Sequence, residues 1–172
     1  LAGLSHASDD PFGTDLRDIH LDVHSGEIVG IAGVSGNGQQ ELLAAISGEQ
    51  PVRAPAMIRI CGVAAAALAP DARRDLGMCF VPEERLGRGA VPSMSLADNA
   101  LLTAHRGGML RAGMVRAGEV DAFTRRCIER FNVKCGGAGA EANSLSGGNL
   151  QKFIVGREIL QSPKLLIVSQ PT

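Results

Sequence analysis

The sequence predicts an α/β fold with a mainly parallel sheet, and three segments carry that prediction. The first is Ile28-Val29-Gly30-Ile31-Ala32, a short apolar run of the kind that forms buried parallel strands. It leads into Gly33-Val34-Ser35-Gly36-Asn37-Gly38-Gln39-Gln40, after which Leu42, Leu43 and Ile46 mark a helix face. The second, Leu145-Ser146-Gly147-Gly148-Asn149-Leu150-Gln151-Lys152, opens another helix with a hydroxyl and two glycines. The third, Leu165-Leu166-Ile167-Val168, reads as a further buried strand and ends in Ser169-Gln170-Pro171-Thr172.

The remaining elements follow in chain order. Residues 1–32 predict short strands, with Asp18 to Val23 alternating as half-buried β. Ile58 to Ile60 reads as a strand, and Gly77 to Val81 as another. Ser95 opens a helix, with Asp98 three residues on in a capping-box-like pair. Residues 92–140 form a more helical insert, in which Val120, Phe123, Cys127 and Phe131 share one face and Arg125, Arg126 and Arg130 lie mostly off it. Gly136-Gly137-Ala138-Gly139 reads as a flexible connector. Leu150, Phe153, Ile154 and Arg157 fall at helical spacing, and Ser162-Pro163 closes that helix. The division is therefore 1–91, 92–140 and 141–172 within one domain.

Two of these segments carry anion chemistry. A strand, a glycine-rich loop and a helix are the context of a phosphate-binding P-loop, and Gly33 and Gly38 match the glycines of G-x-x-x-x-G-K-[ST]. Gln39 stands where the lysine reaches the phosphates, and Gln40 where a hydroxyl holds Mg²⁺. Glu41 replaces the third glycine of a dinucleotide fingerprint, which argues against a nicotinamide or flavin. At Ser146-Gly147-Gly148, unblocked N–H groups and the helix dipole favour an anion.

In this order and spacing the segments resemble the nucleotide-binding domain of an ABC transporter, from about Leu16 to the last residue. Gly33 to Gln40 resembles its Walker A loop and Leu145 to Gln151 its signature, with Asn149 for the common Gln. Leu165 to Thr172 resembles Walker B, with Ser169-Gln170 in place of Asp-Glu. Phe80-Val81-Pro82-Glu83-Glu84-Arg85 sits where the Q-loop lies, Glu83 taking the glutamine's place. This Pro-Glu-Glu-Arg form resembles the second domain of tandem ATPases that serve bacterial importers of simple sugars and nucleosides, with a lean towards nucleosides.

The resemblance implies an ABC ATPase core with an N-terminal antiparallel β part and a helical insert. It implies ATP as cofactor, bound through Gly33, Ser35, Gly36, Asn37, Gly38, Gln39, Gln40, Glu83, Ser146, Gly147, Gly148 and Gln151. The departures remove the lysine, the metal-site hydroxyl and carboxylate, and the base, so the chain's own site is read as non-catalytic, with no catalytic residue and no metal ligand. ABC domains pair head to tail. The intact signature therefore implies that this chain completes the Mg²⁺-ATP site of a second nucleotide-binding domain, expected in the same full-length chain. Permease subunits touching the insert, and indirectly a solute-binding protein, are the further partners implied.

Composition bounds these readings. A chain of 172 residues with 45% hydrophobic content and net charge −1 supports one sizeable core. With no Trp or Tyr and no basic excess, nucleic-acid binding lacks support. Cys61, Cys79, Cys127 and Cys135 show no C-x-x-C pairing and read as free thiols. His6, His20 and His24 lack metal-ligand spacing, and Phe12 reads either as an adenine-stacking aromatic or as a plain loop residue. No apolar run reaches the roughly 20 residues that span a bilayer; the resemblance implies a peripheral location on the cytoplasmic face of the bacterial inner or plasma membrane. No histidine follows His105, and by resemblance the domain reads as C-terminally truncated. Two alternatives stay open: a non-catalytic P-loop-derived interaction domain, and a soluble non-transport ABC ATPase.

Overall fold

A computed structural model describes residues 1–8, 10–34, 36–52, 54 and 57–170. The chain divides into two compact units, Leu1–Met78 and Cys79–Thr172.

In the first unit β1 (Leu4–His6) pairs antiparallel with β2 (Leu16–Ile19), and the register shifts between Leu4 and His6. The strand expected over Asp18 to Val23 thus starts earlier and stops at Ile19; Asp18 itself takes a left-handed φ of 50°. Helix α1 (Gln39–Ser47) begins after Gly38 and ends at Gly48, both left-handed, as glycine allows without strain. β3 (Arg59–Ile60) and β4 (Val63–Ala64) form a hairpin whose two turn residues, Cys61 and Gly62, both have positive φ. α2 (Pro70–Asp75) starts with proline, whose missing N–H costs nothing in the first turn.

A buried arginine joins these pieces. Arg73 is fully buried and donates to the carbonyls of Ile46 (2.6 Å), Ala66 (2.9 Å), Leu68 (2.9 Å) and Ala45. Ala45 and Ile46 belong to the last turn of α1, where carbonyls lack helical partners and a cation is favoured by the dipole. Burial lowers the Arg73 pKa, but a guanidinium keeps its charge.

One expectation fails in this unit. Residues 28–32 are not a buried strand: no described strand pairs with them, and Ile28 and Ile31 are 99% and 58% exposed. A strand is stabilised by ladder partners and a covered face, and among the described residues this run has neither.

In the second unit β5 (Met78–Val81), which opens with the last residue of the first unit, lies beside β8 (Leu165–Val168). The Ser169 N–H donates to the Val81 carbonyl at 2.9 Å. Besides this long-range pair the described strands form three separate antiparallel pairs, β1 with β2, β3 with β4, and one in the 110–115 stretch. β8 is half-buried rather than buried. Between the two strands run α3 (Leu96–Ala104), a short hairpin of β6 (Leu110–Arg111) and β7 (Met114–Val115), α4 (Ala117–Arg130) and α5 (Gly147–Ile159).

Ser95 caps α3 as expected, its hydroxyl accepting from the Asp98 N–H at 3.0 Å. Leu96, Ala100, Val120, Phe123, Cys127, Leu150 and Phe153 form the centre of the core, and Arg125, Arg126 and Arg130 face solvent. Burial pushes the Cys127 thiol up to about 12, so it packs as a small apolar group. The Gly136–Gly139 stretch is anchored rather than a free connector: Ala138 is buried, and its carbonyl and that of Ala140 accept the first N–H groups of α3.

Arg157 and Glu158 are both buried. Arg157 donates to Glu158 at 3.0 Å and to the carbonyls of Asn99 and Gly89 at 2.9 Å each. Arg157→Met removes the charge that balances the buried Glu158, which keeps the neutral Gln161 amide at 3.2 Å, and urea unfolding is expected to show a loss of about 3–5 kcal/mol. Gly156 has a different reason to be fixed, because an added Cβ would lie 2.5 Å from the Phe131 ring. In Gly156→Ala the overpacking cost of about 1–3 kcal/mol outweighs a helix-propensity gain of about 1 kcal/mol, so the same assay is expected to show net destabilisation.

Candidate functional site

The glycine-rich loop lies wholly in the first unit. Gly33, Gly36, Asn37, Gly38, Gln39 and Gln40 are described, and Ser35 lies outside the described residues. Gly36 and Gly38 have φ of 87° and 96°, which lets the loop curl before α1. Thr14 ties it down: its hydroxyl donates to the Gly36 carbonyl at 2.9 Å, and its N–H donates to the Glu41 carboxylate at 2.9 Å. Nothing in the sequence singled out Thr14.

Gln39 folds back into the loop. Its carbonyl oxygen accepts the Asn37 N–H at 3.1 Å, and its amide donates to the Val34 carbonyl at 3.0 Å. Gln40 is exposed, and Phe12 stands 97% exposed. Among the described residues no cluster of three His, Cys, Asp or Glu side chains could hold a metal ion.

The second unit places the signature-like segment at the start of α5. Ser146 is the N-cap residue, yet its hydroxyl caps no N–H of its own helix. It accepts instead from the Asn149 side-chain amide at 2.9 Å, while the Asn149 oxygen accepts the Lys134 N–H at 2.9 Å. A backbone N–H can only donate, so the Asn149 oxygen must face Lys134 and its NH₂ must face Ser146. The Ser146 hydrogen then points away from Asn149 and is left to donate elsewhere. Ser146, Gly147 and Gly148 are exposed, so the first N–H groups of α5 meet solvent.

The structure brings the 83–85 turn to this helix start. Glu83, Arg85, Leu86, Leu145, Gly147 and Leu150 line one open cavity of about 340 Å³. A Cβ at Gly147 would come 2.8 Å from an Arg85 guanidinium nitrogen, whereas one at Gly148 would meet nothing within 4 Å. Arg85 thus sets positive charge beside the helix start. Gln151 is half-buried in the first turns of α5. Ser169 and Gln170 follow β8, and neither brings a charge there.

The ABC transporter family profile matches residues 16–172. The chain is 40% identical over 158 residues, 91% of its length, to the nucleoside import ATP-binding protein NupA of Lactococcus lactis subsp. cremoris, of which this covers 31%. It is 39% identical over 169 residues to the glucose import ATP-binding protein TsgD13 of Haloferax volcanii, covering 96% of this chain and 30% of that protein. The chain therefore spans about a third of the length of the curated relatives it matches. The structure of the dimeric ATP-binding cassette MJ0796, in a post-hydrolysis state bound to ADP and Pi, superposes with a TM-score of 0.78 at 20% identity. That match covers 99% of this chain and 73% of the other.

Because a side chain at 148 would enter open space, Gly148→Ala is expected to unfold thermally with the wild type, within about 0.5 kcal/mol. Its melting curve is therefore a clean check that the helix start tolerates added bulk.

Proposed function

The chain belongs to the ABC transporter family, and from that premise we propose that it is an ATP-binding domain whose signature segment completes the ATP site of a partner domain. The observation that carries this reading is the unfilled start of α5. Ser146 accepts from Asn149 and keeps its hydrogen for a ligand, and Gly147 and Gly148 are exposed, with Gly147 beside the Arg85 guanidinium. These residues fit a terminal phosphate, which such a helix start holds by hydrogen bonds and dipole. Arg85 adds charge to the same spot. ATP bound at the partner supplies the phosphoryl-transfer chemistry; this chain's groups hold and orient its phosphate.

The chain's own loop does not fit Mg²⁺-ATP turnover. Gln39 and Gln40 bring no charge, and Ser169 and Gln170 bring neither a metal-binding carboxylate nor a base. The lysine, metal ligands and base of the working site come from the partner domain, the first of a tandem pair in which this chain is the second. Glu83, in the Q-loop position, and Gln151 border the shared site.

The work served is import of a nucleoside or simple sugar. That reading rests on the roles of the relatives, among them a guanosine import ATP-binding protein of Bacillus subtilis. Among the described residues no helix is long and apolar enough to cross a membrane, so contact with permease subunits falls to the surface of the 92–140 insert. Its hairpin exposes Leu110, Met114 and Val115. The location proposed is the cytoplasmic face of the membrane.

The test pairs this chain with its partner domain and measures ATP turnover. Ser146→Ala combined with Gly147→Ala removes a charge-assisted hydrogen bond and crowds the phosphate, so turnover is expected to fall roughly tenfold or more. Unchanged turnover in a folded double variant would sink the composite-site reading.

A further inference from the structure

We propose that Gln39 is a built-in ligand of the degenerate glycine-rich loop, its carboxamide standing where a phosphate oxygen would be received. This deepens the silent-site reading above and rests on it. A phosphate-binding loop works by presenting backbone N–H groups to an anion. Here the Asn37 N–H is already taken by the Gln39 carbonyl oxygen at 3.1 Å. The other end of the same amide donates to the Val34 carbonyl at 3.0 Å, so one side chain bridges both limbs of the loop.

The fit depends on the loop's first glycine. A Cβ at Gly33 would stand 2.5 Å from the Gln39 nitrogen and 3.6 Å from its Cδ, so the amide occupies the space that glycine leaves open. A lysine at 39 could donate to the Val34 carbonyl, but it has no acceptor for the Asn37 N–H. The glutamine is therefore more than a lost charge: it satisfies a donor and an acceptor that a lysine would leave to the ligand. Glu41 acts in the same direction. Its carboxylate lies in the first turn of α1, where the dipole favours an anion, and is held by the Thr14 N–H at 2.9 Å. The loop is closed by its own amide and supplied with its own negative charge.

This assignment reverses the sign expected of a substitution. If Gln39 were a weak ligand, removing it would weaken phosphate binding; as a plug, removing it frees the Asn37 N–H and strengthens binding. The experiment titrates the full chain with tripolyphosphate and with ATP, in wild type, Gln39→Ala and Gln39→Lys, by equilibrium binding. Gln39→Ala is expected to bind roughly fivefold to tenfold more tightly than wild type, the worth of one internal hydrogen bond, and Gln39→Lys more tightly still.

A second measurement needs no ligand. The Asn37 amide is expected to exchange with solvent more slowly in wild type than in Gln39→Ala. Equal exchange rates, or weaker phosphate binding in Gln39→Ala, would overturn the plug while leaving the signature reading intact. Wild-type chain that binds and hydrolyses Mg²⁺-ATP unaided would overturn both, and is recognised by product formation rather than by the variant comparison.

Discussion

The Cys79–Thr172 unit depends above all on the buried Arg157. Its guanidinium reaches three separate stretches: the Gly89 carbonyl after β5, the Asn99 carbonyl in α3, and the Glu158 carboxylate on its own helix. A buried charge is tolerable only when its donors are satisfied, so these three positions cannot drift independently without stranding it. Asn99 extends the same constraint. Its side chain donates to the Met94 and Ser95 carbonyls and exchanges hydrogen bonds with the Val91 backbone. Through Gly89 the 83–89 turn is pinned to the helix whose first residues carry the proposed phosphate contacts. The exposed edge of the site is thus set by a buried interior interaction.

The two glycine-rich helix starts of this chain solve opposite problems with similar parts. Before α1 the Asn37 N–H is met by the loop's own Gln39, with Glu41 held nearby by the Thr14 N–H. Before α5 the cap residue declines its usual bond to its own helix, and the donors stay open next to Arg85. Sequence composition at the two places is alike, rich in glycine and small polar residues. What separates them is the reach and polarity of one nearby side chain in each.

That distinction marks the limit of what the residues alone reveal. Helical spacing placed α1, α4 and α5 correctly because a 3.6-residue apolar stripe needs only a core to face. The Ser95 cap was legible for the same local reason. The run at 28–32 misled because a strand's existence is decided by partners distant in sequence, and its composition says nothing of whether they are present. The hairpins at Arg59–Ala64 and Leu110–Val115 carry Cys61-Gly62 and Ala112-Gly113 in their turns rather than Asn-Gly or Asp-Gly, so their signal was weak. Of the site, the glycines and Ser146 could be read from spacing. The contacts of Arg85 with the helix start and of Thr14 with the loop could not, because each joins residues 20 or more apart.

The Asn149 bridge has a thermodynamic side. A free serine hydroxyl rotates among three staggered positions, and binding must select one of them. Asn149, held by the Lys134 N–H, makes that selection before any ligand arrives. The oxygen then stands in place while its hydrogen still turns toward a ligand, so the entropy of placing the oxygen is spent during folding rather than at the encounter. A longer side chain at 149 would have to find another anchor to do the same, which gives the shorter amide a physical reason to stand at this place in the segment.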